Sequence, residues 1–207
     1  MNAWIYMALG AACAACVGGA SAPPSGVTGT GDLGEWFEIL NVSNKNLDLN
    51  GVTITGKASD TPIVVSTSIP IKPGQAVVFA PSADVTKNGG HTPALTYVQS
   101  KFPLSNDADT ITINLGNTVI DTVSYDTTAA GKWPFVTPGK ALQLSAAKFS
   151  AEANDAKDNW CYAAKTFGDK GYFGSPAQPN AVCPTPPVAK AAGVWDWLAW
   201  IWAWFGG

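Results

Sequence analysis

The stretch "DTITINLGNTVIDTVSY", Asp109 to Tyr125, constrains the fold more than any other part of the chain. Ile111, Ile113 and Leu115 alternate with Thr and Asn, a period of two that places one side of an extended chain on a core and the other outward. Gly116-Asn117 breaks the run, and Val119, Val123 and Tyr125 lie on the returning strand, so the segment reads as a hairpin. "EWFEILNV" (Glu35 to Val42) follows the same period with a different content. Phe37 and Ile39 share one face, and Trp36 and Leu40 share the other. Apolar residues on both faces mark an interior strand.

Further short apolar runs follow the same grammar. "GVTITG" alternates Val52 and Ile54 with threonines, "PIVVS" and "QAVVFAPS" come next, and "KALQLS" is the last clear strand. Lys72-Pro73-Gly74 leads into the third of these with the Pro-then-Gly order of a type II turn. No stretch has a helical period; Ala146 to Ala164 is helix-like only in composition, and Asn and Asp interrupt it. Short strands with regular turns and no alternating helices predict an all-β sandwich or barrel. The Pro-, Ala- and Asn-rich run from Ser175 to Pro187 reads as a semi-rigid tether.

Charge then excludes one class of partner. All twelve basic residues are Lys, and the net charge is −3. Nucleic acid is commonly met by Arg on phosphates and guanines, so a nucleic-acid partner is not expected.

The N-terminus, "MNAWIYMALGAACAACVGGASA", is an apolar run closing on small residues, the pattern of a secretory leader with an A-x-A site at Ala20-Ser21-Ala22. Cys13 and Cys16 each follow Ala-Ala and are the two candidate lipidation sites of a lipoprotein leader. The alternative is a buried N-terminal element of the domain itself. Cys161 and Cys183 lie in a polar, turn-rich region. In an exported chain they would oxidise to a disulfide, closing a loop of about twenty residues for roughly 3 kcal/mol. In a reducing compartment they would be free thiols.

Catalytic signals are weak. Glu35 and Glu38 are three apart on a strand, so they point to opposite faces and cannot flank one glycosidic bond. His91, the one histidine, sits in "KNGGHTP", which reads as a flexible loop with an exposed imidazole. Asp107-Ala108-Asp109 and Asp155 to Asp158 offer oxygen ligands but lack the length and glycine placement of an EF-hand loop, so turn capping is the expected role. No cofactor or metal is expected, and enzymatic activity is not.

"GEWFEILNVSNKNLDLNGVTITG", "IKPGQAVVFAP", "LSNDADTITINLGNTVIDTVSY" and "DNWCYAAKTFGDKGYFGSPAQPNAVC" together resemble, in order, a lamin tail domain of the bacterial extracytoplasmic branch. The resemblance spans Gly34 to Cys183 and implies an immunoglobulin-like β-sandwich of the lamin-tail type, with short apolar segments at both termini. It also implies the Cys161–Cys183 bridge. Such domains open with an apolar strand before "GEW"; "APPSGVTGTGDL" stands there instead, so either that strand is absent or the N-terminal apolar run supplies it. The expected organisation is a leader over 1–22, a linker over 23–33, the domain over 34–183, a second linker over 184–193 and an apolar tail over 194–207.

What the resemblance implies for function is a non-catalytic, exported module for adhesion or envelope scaffolding, partnered by a cell-envelope component or a protein. The rival implication is an accessory domain serving a separate hydrolase or nuclease. The tail, "WDWLAWIWAWFGG", carries Trp195, Trp197, Trp200, Trp202 and Trp204. As a helix it is about 18 Å long, too short for the ~30 Å hydrocarbon core, and Trp favours the membrane interface. These five indoles are therefore the candidate membrane contact, with packing onto the sandwich as the alternative.

Overall fold

The structure is a computed structural model, and it describes residues 7–8, 34–105, 107–128, 133–134, 139–168 and 171–184. In chain order the strands are β1 (Met7–Ala8), β2 (Phe37–Asn41), β3 (Leu47–Asp48), β4 (Val52–Thr55), β5 (Ile63–Val64), β6 (Pro70–Ile71) and β7 (Ala76–Ala80). They continue with β8 (Leu95–Thr96), β9 (Ala108–Leu115), β10 (Thr118–Asp126), β11 (Leu142–Leu144), β12 (Trp160–Tyr162), β13 (Thr166–Phe167) and β14 (Tyr172–Phe173). Two four-stranded sheets, β1-β2-β7-β8 and β10-β9-β4-β5, are joined by three two-stranded pairs, β3-β6, β11-β12 and β13-β14. This is the expected all-β sandwich.

Period-two patterning explains the layers. Val52 and Ile54 of β4, Ile111 and Ile113 of β9, and Val123 and Tyr125 of β10 point inward against Phe37, Ile39, Val77 and Phe79 of the other sheet. Phe37 stacks on Phe79 with ring centroids 5.2 Å apart, and Tyr97 and Phe102 close around it. Burying such side chains contributes roughly 1.5–3 kcal/mol each. The predicted hairpin forms over its predicted turn, with Gly116 at φ +59° as the first central residue of a type II′ connection. A bulge between Val119 and Asp121 shifts the returning strand by one residue. Val119 is consequently 60% exposed, while Val123 and Tyr125 are buried. The Lys72–Gln75 turn is type II as expected, with Gly74 at φ +72° and Gln75 N donating to Lys72 O at 3.0 Å.

Strand β2 lies between β1 and β7, and all five of its residues are buried, as an interior strand requires. Its left neighbour comes from the N-terminal apolar run: Met7 pairs with Asn41, and Ala8 with Leu40, antiparallel. Of the two arrangements open in the sequence, the structure adopts the one in which that run supplies a strand. Cys13 and Cys16 lie outside the described residues, as do Trp195, Trp197, Trp200, Trp202 and Trp204.

Two expectations for the C-terminal part are corrected. Three more pairing strands follow "KALQLS", each only two or three residues long and so too short to show a period. Residues 175–184 do not form a tether. Gln143 Nε2 donates to Ala181 O at 3.2 Å, Asn180 Nδ2 to Leu144 O at 3.1 Å, and Cys183 N to Ser145 Oγ at 3.0 Å, strapping this run onto the β11 edge. The Cys161–Cys183 disulfide joins β12 to the same run, with the Cα atoms 5.7 Å apart. Between them, the helix-like composition yields only α1 (Ala151–Asn154) and two single 3₁₀ turns.

Replacing both Cys161 and Cys183 by Ser should lower the stability by about 3 kcal/mol and the melting temperature by roughly 6–12 °C. Quantitative alkylation of both thiols in native, unreduced protein would show that the bridge is absent.

Candidate functional site

The outward face of β2 and β7 gathers two titratable groups, Glu38 and His91, that depart far from ordinary behaviour. Trp36, just before β2, and Glu38 of β2 project outward beside Val78 and Ala80 of β7, and Ala141, Ala163, Phe167 and Phe173 cover them as a second, smaller core. Glu38 is 2% exposed and accepts the backbone N–H of Ala177. Burial raises its pKa to about 8, and the Ala177 bond lowers it only in part. Ala177 is held at φ +57°, the single non-glycine residue with positive φ among those described. It occupies the third position of a turn in which Gln178 N donates to Ser175 O at 2.8 Å, with Pro176 before it. This type II geometry favours Gly there, so Ala177 costs about 1 kcal/mol, offset by the N–H it gives Glu38.

His91 overturns its sequence reading. The imidazole is 5% exposed, 5.7 Å from the Trp36 ring and 6.4 Å from Phe167. The loop is held because Asn88 is buried inside it. Its Nδ2 donates to Ser82 O and His91 O, both at 2.8 Å, while its Oδ1 accepts from Gly90 N at 3.1 Å and His91 N at 3.3 Å. Gly168 then packs directly on the Gly89 carbonyl, too close to admit a Cβ. The legible signal was Asn-Gly-Gly, which suits positive φ at Gly89 and Gly90 but says nothing of what the next side chain faces. Burial holds the His91 pKa down to about 4, so the ring is neutral at physiological pH. Neither ring nitrogen, nor Trp36 Nε1, has a hydrogen-bond partner among the described residues.

Two small cavities border this face and meet at Ala177 and Gln178. One of about 80 Å³ is lined by Glu38, Gln75 and Asn180, and one of about 290 Å³ by His91, Lys165 and Phe167.

Glu35 and Glu38 diverge as strand geometry requires. Glu35 accepts from Leu104 N at 3.2 Å on the side of the main core, whereas Glu38 faces Ala177. Asp109 is buried, accepts from Ser105 N and Thr110 N at 2.8 Å each, and lies 3.4 Å from Lys57 Nζ. The Asp107 carbonyl accepts from Thr127 N at 2.6 Å. Asp155 caps the end of α1, and Asp158 pairs with Lys157. Of these aspartates, only Asp109 holds its turn through the carboxylate, and among the described residues no group of three or more His, Cys, Asp or Glu gathers as a metal site.

Opposed titrations should shape the stability profile. From pH 4.5 to 8 the native chain keeps a proton on Glu38 that the unfolded chain has lost, so stability falls as pH rises. From pH 6.5 down to 4 the unfolded chain gains a proton on its histidine that native His91 refuses, so stability falls as pH drops. The two slopes cancel between 4.5 and 6.5 and leave a net loss from 6.5 to 8 of up to about 1.4 kcal/mol per pH unit. In denaturant titrations, Glu38→Gln should abolish the loss above pH 6.5. An unchanged slope in that variant would remove Glu38 as its source.

A family model described as Lamin Tail Domain matches residues 20–127, just over half of the chain. No curated protein matches it. The sandwich, its register and this match agree, and the chain belongs to the lamin tail domain family.

Proposed function

We propose that this chain is a non-catalytic binding and scaffolding module that works outside the cytoplasm and is held at a membrane by its Trp-rich tail. The observation that carries the reading is the Cys161–Cys183 disulfide, which straps the closing segment to the fold and persists only in a non-reducing compartment. The family match supports a binding or scaffolding domain, and its partner is a cell-envelope component or a protein. The buried carboxylates support the absence of catalysis in this reading. Glu35, Glu38 and Asp109 each accept a backbone N–H, which occupies them in holding the fold together.

Residues 1–22 hold two exclusive roles. As a leader cleaved to a mature N-terminus at Cys13, Cys16 or Pro23, the segment takes β1 with it and bares the β2 edge. As an uncleaved element it remains the partner of Asn41 and Leu40. Processing is the proposed outcome, and intact-mass analysis of protein from its native host should show a mature start at one of those three residues. Recovery of Met1 in exported material would assign the segment to the domain instead.

For the tail, deletion of residues 194–207 should release the protein from neutral lipid vesicles with little change in the thermal transition. Binding by the full chain should depend weakly on salt, since insertion of indoles rather than charge drives it. Vesicle-insensitive, already blue-shifted tryptophan emission, with a large stability loss on deletion, would show that the tail packs on the domain.

A further inference from the structure

We propose that the Cys161–Cys183 bridge is a redox latch on the cover over Glu38: a dithiol that reduces the bridge frees the closing run, opens the carboxyl to water and releases its proton. The inference goes beyond the binding-module reading and requires no ligand. The bridge joins cysteines 22 residues apart in sequence, and the loop it closes is the cover itself. Ala163, Phe167 and Phe173, which seal the outer core, and Ala177, which gives its N–H to Glu38, all lie inside that loop. Of the covering residues only Ala141 lies outside it.

Little else holds the far end of the loop. From Gly174 to Pro184 the chain enters no strand. Ala181 O accepts from Gln143 Nε2 and from Ala146 N, both at 3.2 Å, and Asn180 Nδ2 and Cys183 N give one bond each to Leu144 O and Ser145 Oγ. Single hydrogen bonds outside a ladder belong to the low-stability end of a fold, where local opening begins. Ala177 pushes the same way, because opening relieves its left-handed φ of +57°. Both cysteines are half-buried beside the exposed Tyr162 and Val182, so a thiolate can reach the bridge. That thiolate attacks one sulfur, the S–S bond breaks and a mixed disulfide forms; the second thiol of the reductant then displaces the protein sulfur. The dithiol ends as a disulfide, and Cys161 and Cys183 take up two electrons and two protons as thiols.

Glu38 reports the opening. The other residues lining its cavity are uncharged, as is Val78 opposite it on β7, while His91 and Lys165 border the adjoining cavity. Enclosed, the carboxyl keeps its proton to about pH 8; open to water it would lose that proton in the ordinary carboxylate range. Reduction consequently releases one further proton near neutral pH. By reciprocity, raising the pH through this range favours reduction. His91 adds little above pH 6.5, where the imidazole is mostly neutral whether covered or open.

The test is equilibration of the folded full chain with reduced and oxidised dithiothreitol at pH 6.5 and at about pH 7.5, where thiols stay largely protonated and their protons cancel. The equilibrium constant for reduction should rise by about tenfold over that unit in the native chain and stay level in Glu38→Gln. The same pH dependence in both proteins overturns the proposal. If the variant does not fold, infrared spectroscopy of the native chain decides. The C=O band of a protonated carboxyl, present at neutral pH in the oxidised chain, should disappear on reduction, and its persistence in reduced, folded protein overturns the proposal. Either failure leaves the binding-module reading intact, since neither measurement involves a partner or a membrane. Two free thiols in full chain isolated from an oxidising medium would remove the latch and the exported reading together.

Discussion

Everything in this fold follows from burying β2 on both of its faces. Phe37 and Ile39 fill the space between the two sheets, while Trp36 and Glu38 point the other way and need a cover of their own. A two-layer sandwich leaves the outer face of each sheet in water, so a strand with this sequence cannot be completed by the hairpins alone. The closing segment provides the cover. Ala141, Ala163, Phe167 and Phe173 seal the apolar part, and the Ser175–Gln178 turn places one N–H on the carboxyl of Glu38. The disulfide then restrains this cover where its own strands, two or three residues long, give it few ladder bonds.

A second core assembled this way is less well matched than the first. The main core is built from aliphatic and aromatic side chains in alternating register, whereas the outer one encloses an indole N–H, an imidazole and a carboxyl. Enclosure without full pairing costs free energy, and both titratable groups respond by staying neutral: Glu38 keeps its proton to about pH 8, and His91 refuses one until about pH 4. The outer cover consequently ties stability to pH through both groups.

How much of this could be read from the chain depends on which interactions are local. The β9–β10 hairpin was legible because its alternation and its Gly116-Asn117 turn are consecutive in sequence. The two-sided burial of β2 was legible in the composition of "EWFEILNV". His91 was misread because its surroundings come from Trp36 and Phe167, remote in sequence, and because Asn88 turns an apparently loose glycine loop into a fixed one. The run after Ser175 looked like a tether since its contacts with Gln143 and Leu144 span more than thirty residues. Alternation reports which way a side chain points; register decides what it meets.

The two outer faces of the sandwich therefore differ in kind. The face of β2 and β7 is covered by the chain's own closing segment, locked by a covalent bond, and the two cavities beside it are lined in part by Ala177 and Gln178 of that segment. The face of β10, β9 and β4 has hydroxyls that are ordered by one another and remain partly exposed. The closing segment is also bonded to the other sheet: Asn154 at the end of α1 donates to Asp121 of β10 at 2.8 Å, and Trp160 Nε1 donates to Asn154 O at 2.8 Å. The β10 edge is thus tied to β12, the strand that carries Cys161. The covalent lock on one face is thereby joined, through Trp160 and Asn154, to the bulged part of β10 in the other sheet.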